Sequence, residues 1–292
     1  MSSATAYVRP AGRRPVAVRR RADHDLTSTI ARRLTPRDRL VCQALFDHKV
    51  LTTEQVTALC FDNLTTARHR LSALYRLRVL DRFRPFRSVG SDPYHYVLDT
   101  VGVEVVAADR GIEVPRPGLH HSRALALADS QRLAHLLEVN GLFCSLARWA
   151  RSAADADLAE WWSERRCATE WGEVIRPDGF GTLREGHRVV EYFVEVDRGT
   201  ETLGRLAGKL AGYAELVRAT GWSPQVCFWF PSPRREAEAR TVLAHPKVAV
   251  ATGAAGPGAG PGGAVWLPLG STGPRRHLID LAPGTAVSGR RS

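Results

Sequence analysis

The stretch RVVEYFVEVD, residues 188–197, constrains the fold more than any other. Its apolar residues predict a buried β-strand, yet Glu195 and Asp197 place two carboxylates in it. Because successive side chains of a strand point to opposite faces, both acids share one face with Phe193, and Val194 and Val196 share the other. Buried carboxylates stay ionised only beside a positive partner. The sequence therefore predicts a sheet with a charged site on one face.

A second strand, EVIRPDGFGTL at residues 173–183, precedes the first and is joined to it by the turn REGH. If the turn centres on Glu185 and Gly186, Asp178 faces Phe193, one diagonal step from Glu195. Asp178, Glu195 and Asp197 then lie within reach of one ion, and we expect Mg²⁺ or Mn²⁺ as the metal cofactor. Such an ion can activate water for phosphodiester cleavage.

Two further residues complete the predicted catalytic set. Lys209, the only lysine between residues 50 and 246, lies on a helix predicted after the second strand and is expected to stabilise charge and position the attacking water. Glu164, on a helix predicted over LAEWWSERR, is expected to support the metal ligands. The candidate catalytic residues are therefore Asp178, Glu195, Asp197, Lys209 and Glu164.

Each acid also has a purely structural interpretation. In this interpretation, Asp197 would cap the next helix, for which Thr200 is an alternative N-cap. Glu195 would pair with Arg176 across the strands, and Asp178 would only begin a turn before Gly179.

The first half of the chain has a different pattern, of three helices followed by a hairpin. Thr35 and Pro36 begin the first helix, which carries a stripe of Leu40, Val41, Ala44 and Leu45, and Thr52 or Thr53 caps the second. The third is NLTTARHRLSALYRL, residues 63–77, and a hairpin with a turn at residues 90–93 follows. This order is typical of a winged helix-turn-helix, whose third helix enters the major groove of DNA. The predicted DNA-binding residues are Arg68, His69, Arg70, Arg76, Arg82, Arg84 and Arg87.

The charge balance favours the same partner. The chain has 292 residues, a formal net charge of +11 and a pI of about 10.1, which favours double-stranded DNA as the partner. The alternatives are a charge that only maintains solubility and a small basic helical domain without a DNA function. Residues 1–33 are rich in arginine and predict a disordered basic arm, which is either a solvated tail or a phosphate contact.

Several classes of site are not expected. No apolar run reaches the about 18 residues of a membrane span, and no secretory signal is evident, so we expect a cytoplasmic protein without a membrane partner. The five scattered cysteines predict buried apolar side chains. The chain lacks a Gly-Lys-Ser/Thr phosphate loop and the paired-histidine motif of relaxases. We expect His120, His121 and His135 to be structural or solvated.

The pattern predicts an α+β chain with four parts: the arm, a winged helix domain at residues 34–112, a helical bridge at 119–152, and an α/β domain at 155–285. The bridge is expected to pack on both halves or to pair with another copy in a homodimer. Residues 253–263, GAAGPGAGPGG, predict a flexible insert without packing side chains, and AVWLPLG predicts a last strand.

Two resemblances follow from these motifs. RPDGF and FVEVD resemble the core of the PD-(D/E)XK nuclease superfamily at Pro177, Asp178 and Glu195, which implies a restriction-endonuclease-like C-terminal domain. Asp197 stands where that superfamily usually has lysine, and Lys209 is placed as the lysine that some members carry on the following helix.

The whole layout over residues 34–282, with WSER, RPDG and EVDRGTE, resembles the replication-relaxation proteins of actinobacterial plasmids and integrated elements. The resemblance implies DNA binding in plasmid replication, relaxation or transfer, alongside other proteins of those processes. Two functions stay open: a metal-dependent endonuclease or nickase, and an inactive DNA-binding accessory or transcriptional regulator.

Overall fold

A computed structural model describes residues 24–85, 92–114, 116–243, 247–256 and 260–282 of the chain. It is a mixed α+β structure with two sheets, and among the helices that it describes none is long and apolar enough to cross a membrane. Residues 1–23 of the predicted arm lie outside the described residues, as do the C-terminal residues from 283 onward. Its remaining part differs from the prediction of disorder, because His24–Ala31 form a helix in which Ile30 is buried.

Among the described residues, the first half has five helices and a three-stranded antiparallel sheet. The sheet has the strand order β1-β3-β2. The elements are α1 (His24–Ala31), α2 (Pro36–His48), β1 (Leu51–Thr52), α3 (Thr53–Cys60), α4 (Leu64–Arg76), β2 (Leu80–Phe83), β3 (His95–Leu98) and α5 (Thr100–Arg110).

Local signals set the helix starts in this half. Thr35 and Thr52 cap α2 and α3, each with a complete capping box, as the sequence predicts. Val41, Ala44 and Leu45 are buried, but the prediction for Leu40 is wrong, because its side chain is 44% exposed. The predicted hairpin is formed by β2 and β3, although residues 90 and 91 of its predicted turn lie outside the described residues.

The predicted helical bridge consists of two helices, α6 (Pro117–Ala126) and α7 (Arg132–Ser152). Cys144 and Ala147 of α7 belong to the core of the first half. Phe143 and Leu146 of the same helix pack into the core on one face of the second sheet. The expectation that this segment packs on both halves is confirmed.

The second half is a six-stranded mixed sheet with the order β4-β5-β6-β7-β8-β9, in which β6, β7 and β8 are parallel. Phe193 faces α9, while Val194 and Val196 face α7, as the alternation predicts. The elements are β4 (Ala156–Ser163), α8 (Glu164–Trp171), β5 (Gly179–Glu185), β6 (Arg188–Val196), α9 (Leu203–Thr220), β7 (Gln225–Phe230), α10 (Pro233–Arg240), β8 (Val250–Ala254) and β9 (Leu267–Pro268).

Three details of the second half differ from the predictions. Residues 158–163 form a strand rather than a helix, because Trp161 and Trp162 pack on opposite faces of the sheet. Strand β5 begins only at Gly179. The predicted insert begins inside β8, and near its other end Pro261 is buried and its carbonyl accepts a hydrogen bond from the Trp266 indole.

The hairpin register also differs. Phe180, not Asp178, lies opposite Phe193, and Glu185 pairs with Arg188 across the loop of Gly186 and His187. The shift is two residues, so every side chain keeps its predicted face. Continuing the register by one step places Asp178 directly across from Glu195.

Candidate functional site

Asp178 lies just before β5, at the end of the sheet where β6 stops. Its Oδ2 accepts a hydrogen bond from the Val196 backbone N–H at 2.7 Å, which holds the carboxylate against the neighbouring strand. Its Oδ1 lies 2.8 Å from Nε2 of His135, on α7. This hydrogen bond is the main reason why the pKa of His135 is raised. The bridge helix therefore supplies a side chain to the site.

Glu195 is the buried centre of the site. Lys209 Nζ donates to its Oε2 at 2.8 Å, and the Tyr213 hydroxyl donates to its Oε1 at 2.6 Å. Both donors lie on α9, which packs on this face of the sheet. Burial, and secondly the charge of Asp178, raise the pKa of Glu195 to about 7. Two carboxylates therefore repel each other beside one lysine ammonium.

Asp197 is held by other partners. Its Oδ2 accepts a hydrogen bond from Nε of Arg235 at 2.6 Å, and its Oδ1 accepts one from the Gly199 N–H at 2.9 Å. Arg235 lies on α10 and also donates to the carbonyl of Glu201. Helix α9 is capped by Thr202, so neither Asp197 nor Thr200 is its N-cap. Asp197 forms a buried ion pair that joins three segments of the second half.

The remaining predicted residues border this centre. Lys209 also lies 3.5 Å from Glu201. Burial lowers the pKa of Lys209, but the charges of Glu195, Asp178 and Glu201 outweigh it and raise that pKa. Glu164 is the exposed first residue of α8, and its charge adds to the rise in the pKa of His135. Arg176 donates to the Gly172 carbonyl, so the alternative pairing with Glu195 is not seen.

The predicted metal ligands are only partly brought together. In the portion of the chain that the structure describes, no three His, Cys, Asp or Glu side chains are grouped as metal ligands. Asp178 and Glu195 remain as two neighbouring carboxylates whose repulsion a cation would relieve. Magnesium needs only one or two protein carboxylates, because it keeps several waters. The structure thus offers an ion two carboxylates whose oxygens already contact protein donors, and Asp197 lies outside this pair.

In the first half, most of the predicted DNA-binding residues are exposed or stacked on aromatic rings. Arg68, His69 and Arg76 are exposed on α4 and have no ion pair with any residue that the structure describes. Arg82 and Arg84 stack on tyrosine rings.

Arg70 differs from the prediction of a free outward side chain. Its guanidinium forms a two-pronged ion pair with the buried Asp38, which is also the capping-box residue of α2. This pair joins α4 to α2, so the charge of Arg70 is neutralised by a buried carboxylate within the protein. Arg87 lies outside the described residues.

Comparison with known families agrees with this layout. The family model for replication-relaxation proteins matches residues 43–227, from within α2 to within β7. This chain belongs to the replication-relaxation family. The matched segment contains the exposed arginines of α4 as well as Asp178, Glu195, Asp197 and Lys209, but ends before Arg235. No curated protein and no solved structure matches the chain.

The sequence analysis did not assign Tyr213 to this network, although it lies only 18 residues from Glu195. It also missed His135 and Arg235. Their partners lie 43 and 38 residues away. His135 is a lone histidine on a helix, and Arg235 is one of many arginines, so neither carries a spacing signal. All five cysteines are buried and free, as predicted.

Proposed function

We propose that this replication-relaxation protein acts in plasmid replication, relaxation or transfer by binding duplex DNA through α4 and the β2–β3 hairpin. Helices α2, α3 and α4 followed by this hairpin have the order of a winged helix-turn-helix, in which α4 is the helix that enters the major groove. The observation that carries the proposal is the group of cationic side chains on these elements that have no ion pair among the described residues.

Some arginines elsewhere in the first half are paired with aspartates, whereas the exposed Arg32 and Arg33 have no ion pair among the described residues. Arg39 bonds to Asp109, and Arg110 to Asp47. Such pairs neutralise charge and stabilise contacts between helices. Arg68 and Arg76 have no carboxylate partner within the described residues, so their charge is available to phosphates. These exposed charges on α4, together with the positive net charge of the chain, support a DNA-binding surface.

A binding titration tests this proposal. We expect Arg68→Ala and Arg76→Ala each to weaken binding to a labelled 30-base-pair duplex about five- to tenfold at about 0.1 M salt, since one phosphate contact contributes a slope of about 0.9 in log K against log salt. Arg110→Ala is the matched control, because its charge is already paired. Equal losses of affinity in all three variants would mean that binding depends on the net charge of the protein and not on a surface formed by α4.

A second candidate function is metal-dependent cleavage of a DNA phosphodiester at the acid pair. The observation that favours it is the contact of Glu195 with Lys209 beside the negative charge of Asp178, as the PD-(D/E)XK resemblance implies. Asp178 and Glu195 would hold Mg²⁺ or Mn²⁺, which supplies an activated water and stabilises charge on the phosphate. Lys209 adds a cation beside the scissile group, and His135 positions Asp178, with Glu164 at the rim.

Nicking of supercoiled plasmid in Mg²⁺ or Mn²⁺ tests this candidate. We expect nicking by the wild type to be lost in Asp178→Asn and in Glu195→Gln, and retained in Glu215→Gln, an exposed acid of α9 that pairs with Arg218. No nicking by the wild type, with duplex binding intact, would support the alternative: a DNA-binding accessory or transcriptional regulator whose acid pair is structural.

A further inference from the structure

Four side chains at the base of the hairpin form a continuous stack. The guanidinium of Arg82 lies over the ring of Tyr75, 4.3 Å from its centre, and over the ring of Tyr94, 4.0 Å from its centre. The guanidinium of Arg84 lies over the same Tyr94 ring at 3.7 Å. Two guanidinium groups this close to one ring centre must occupy opposite faces. The order of the stack is therefore Tyr75, Arg82, Tyr94, Arg84.

The fold places these residues together. Arg82 is paired with Tyr96 across the β2–β3 ladder, and continuing the register puts Arg84 opposite Tyr94. Tyr75 comes from the last turn of α4, so the stack connects this helix to the hairpin. Arg82 is half-buried between two rings, whereas Arg84 is exposed at the end. The two arginines are thus not equivalent.

Neither arginine has an ion-pair partner among the residues that the structure describes, and the stack leaves the charge of Arg84 exposed. Stacking on an aromatic face restrains a guanidinium while keeping its N–H groups free at the edge. A side chain ordered in advance loses less rotamer entropy when it binds a ligand. The arrangement suits an arginine that must meet an anion at a fixed distance from α4.

We propose that this stack is a preordered clamp for the sugar–phosphate backbone of duplex DNA, in which Arg84 binds a phosphate while Arg82 and Tyr94 are positioning residues. The proposal rests on the DNA-binding function proposed above and assigns different roles to its residues. Tyr75 fixes the clamp to α4, so that the phosphate contact and the helix meet the duplex in one register.

The test measures affinity for a 30-base-pair duplex as a function of salt. We expect Arg84→Ala to bind about five- to tenfold more weakly at about 0.1 M salt, with a salt slope smaller by about 0.9. Tyr94→Leu keeps every charge. It should bind about three- to tenfold more weakly because Arg84 must be ordered on binding, with most of the salt slope retained. Tyr94→Phe keeps the ring and should bind like the wild type.

Arg82→Ala separates positioning from contact. A positioning role predicts weaker binding with a slope change well below that of Arg84→Ala, and a slope change equal to it would overturn this role. Equal affinity of Tyr94→Leu and the wild type would overturn the clamp, even if Arg68→Ala and Arg76→Ala confirm DNA binding. No duplex binding by the wild type would overturn both proposals. Thermal unfolding of each variant, with Arg110→Ala as the charge control, shows whether the fold is retained.

Discussion

Acid should destabilise this protein through one buried histidine. His48 ends α2, and its imidazole is stacked on the indole of Trp161 from β4, with ring centres 3.6 Å apart. The side chain is only 4% exposed. Because burial removes the hydration of an imidazolium, it lowers the pKa of His48 to about 3 from an ordinary value of 6.5. The contact joins the two halves, so its loss would destabilise the packing of one half on the other.

The sign of the effect follows from proton uptake. Below pH 6.5 the unfolded chain protonates this histidine, while the folded chain does so only near pH 3. The unfolded state therefore binds more protons across this window, and the free energy of unfolding falls as the pH falls. One proton corresponds to about 1.4 kcal/mol per pH unit once protonation of the unfolded state is complete. Between about pH 6 and 4, we expect a loss of about 2 to 3 kcal/mol from His48 alone.

Urea unfolding at several pH values, followed by far-UV circular dichroism, measures this loss. His48→Gln should lose about 2 to 3 kcal/mol less than the wild type over the same interval, because glutamine does not titrate. His69→Gln, an exposed substitution on α4, should follow the wild type. The lowered pKa values of His95 and His120 contribute equally to every variant. Parallel curves for His48→Gln and the wild type would refute the reasoning.

Three further predictions concern the second half. Arg235→Ala leaves Asp197 as an unpaired buried charge and should cost about 3 to 5 kcal/mol in urea unfolding, with partial recovery when Asp197→Asn is added; no recovery would mean that the arginine acts through packing. Gly181→Ala places a methyl group 2.5 Å from the Tyr192 hydroxyl and 2.9 Å from the Phe143 ring. It should destabilise by about 1 to 3 kcal/mol in thermal unfolding, so an unchanged Tm would contradict the packing. Tyr213→Phe removes a hydrogen bond that lowers the pKa of Glu195, so NMR titration of labelled glutamate should show that pKa rising above about 7; a fall would contradict it.

The elements that the sequence predicted well are those with local causes. Thr35 and Thr52 cap helices through residues three positions away, and this spacing is visible in the sequence. Strand β6 was readable because it is rich in β-branched and aromatic residues. The hairpin register was wrong by two residues, yet the faces were right, since a strand has a period of two. Strand β4 was misread, because two adjacent tryptophans among charges also fit a short helix.

The candidate site was predictable only where it is local. Glu195 and Lys209 are 14 residues apart on consecutive elements, and a single lysine among arginines drew attention to their contact. The ion pair of Asp197 with Arg235 depends on how α10 packs, and the bond of Asp178 with His135 depends on how α7 packs. Tertiary packing decides such contacts, so the sequence alone gave the acids without their partners.

Helix α7 has a consequence for how this protein can be divided. Its residues alternate between two cores, with Cys144 in one and Phe143 in the other. A fragment that ends before α7 would expose apolar core residues of the first half that α7 covers. A fragment that begins after α7 would expose the apolar face of the second sheet on which α7 packs. Proteolysis or recombination within residues 132–152 therefore damages both cores at once. The protein is best expressed, exchanged between homologues and assayed as one undivided piece.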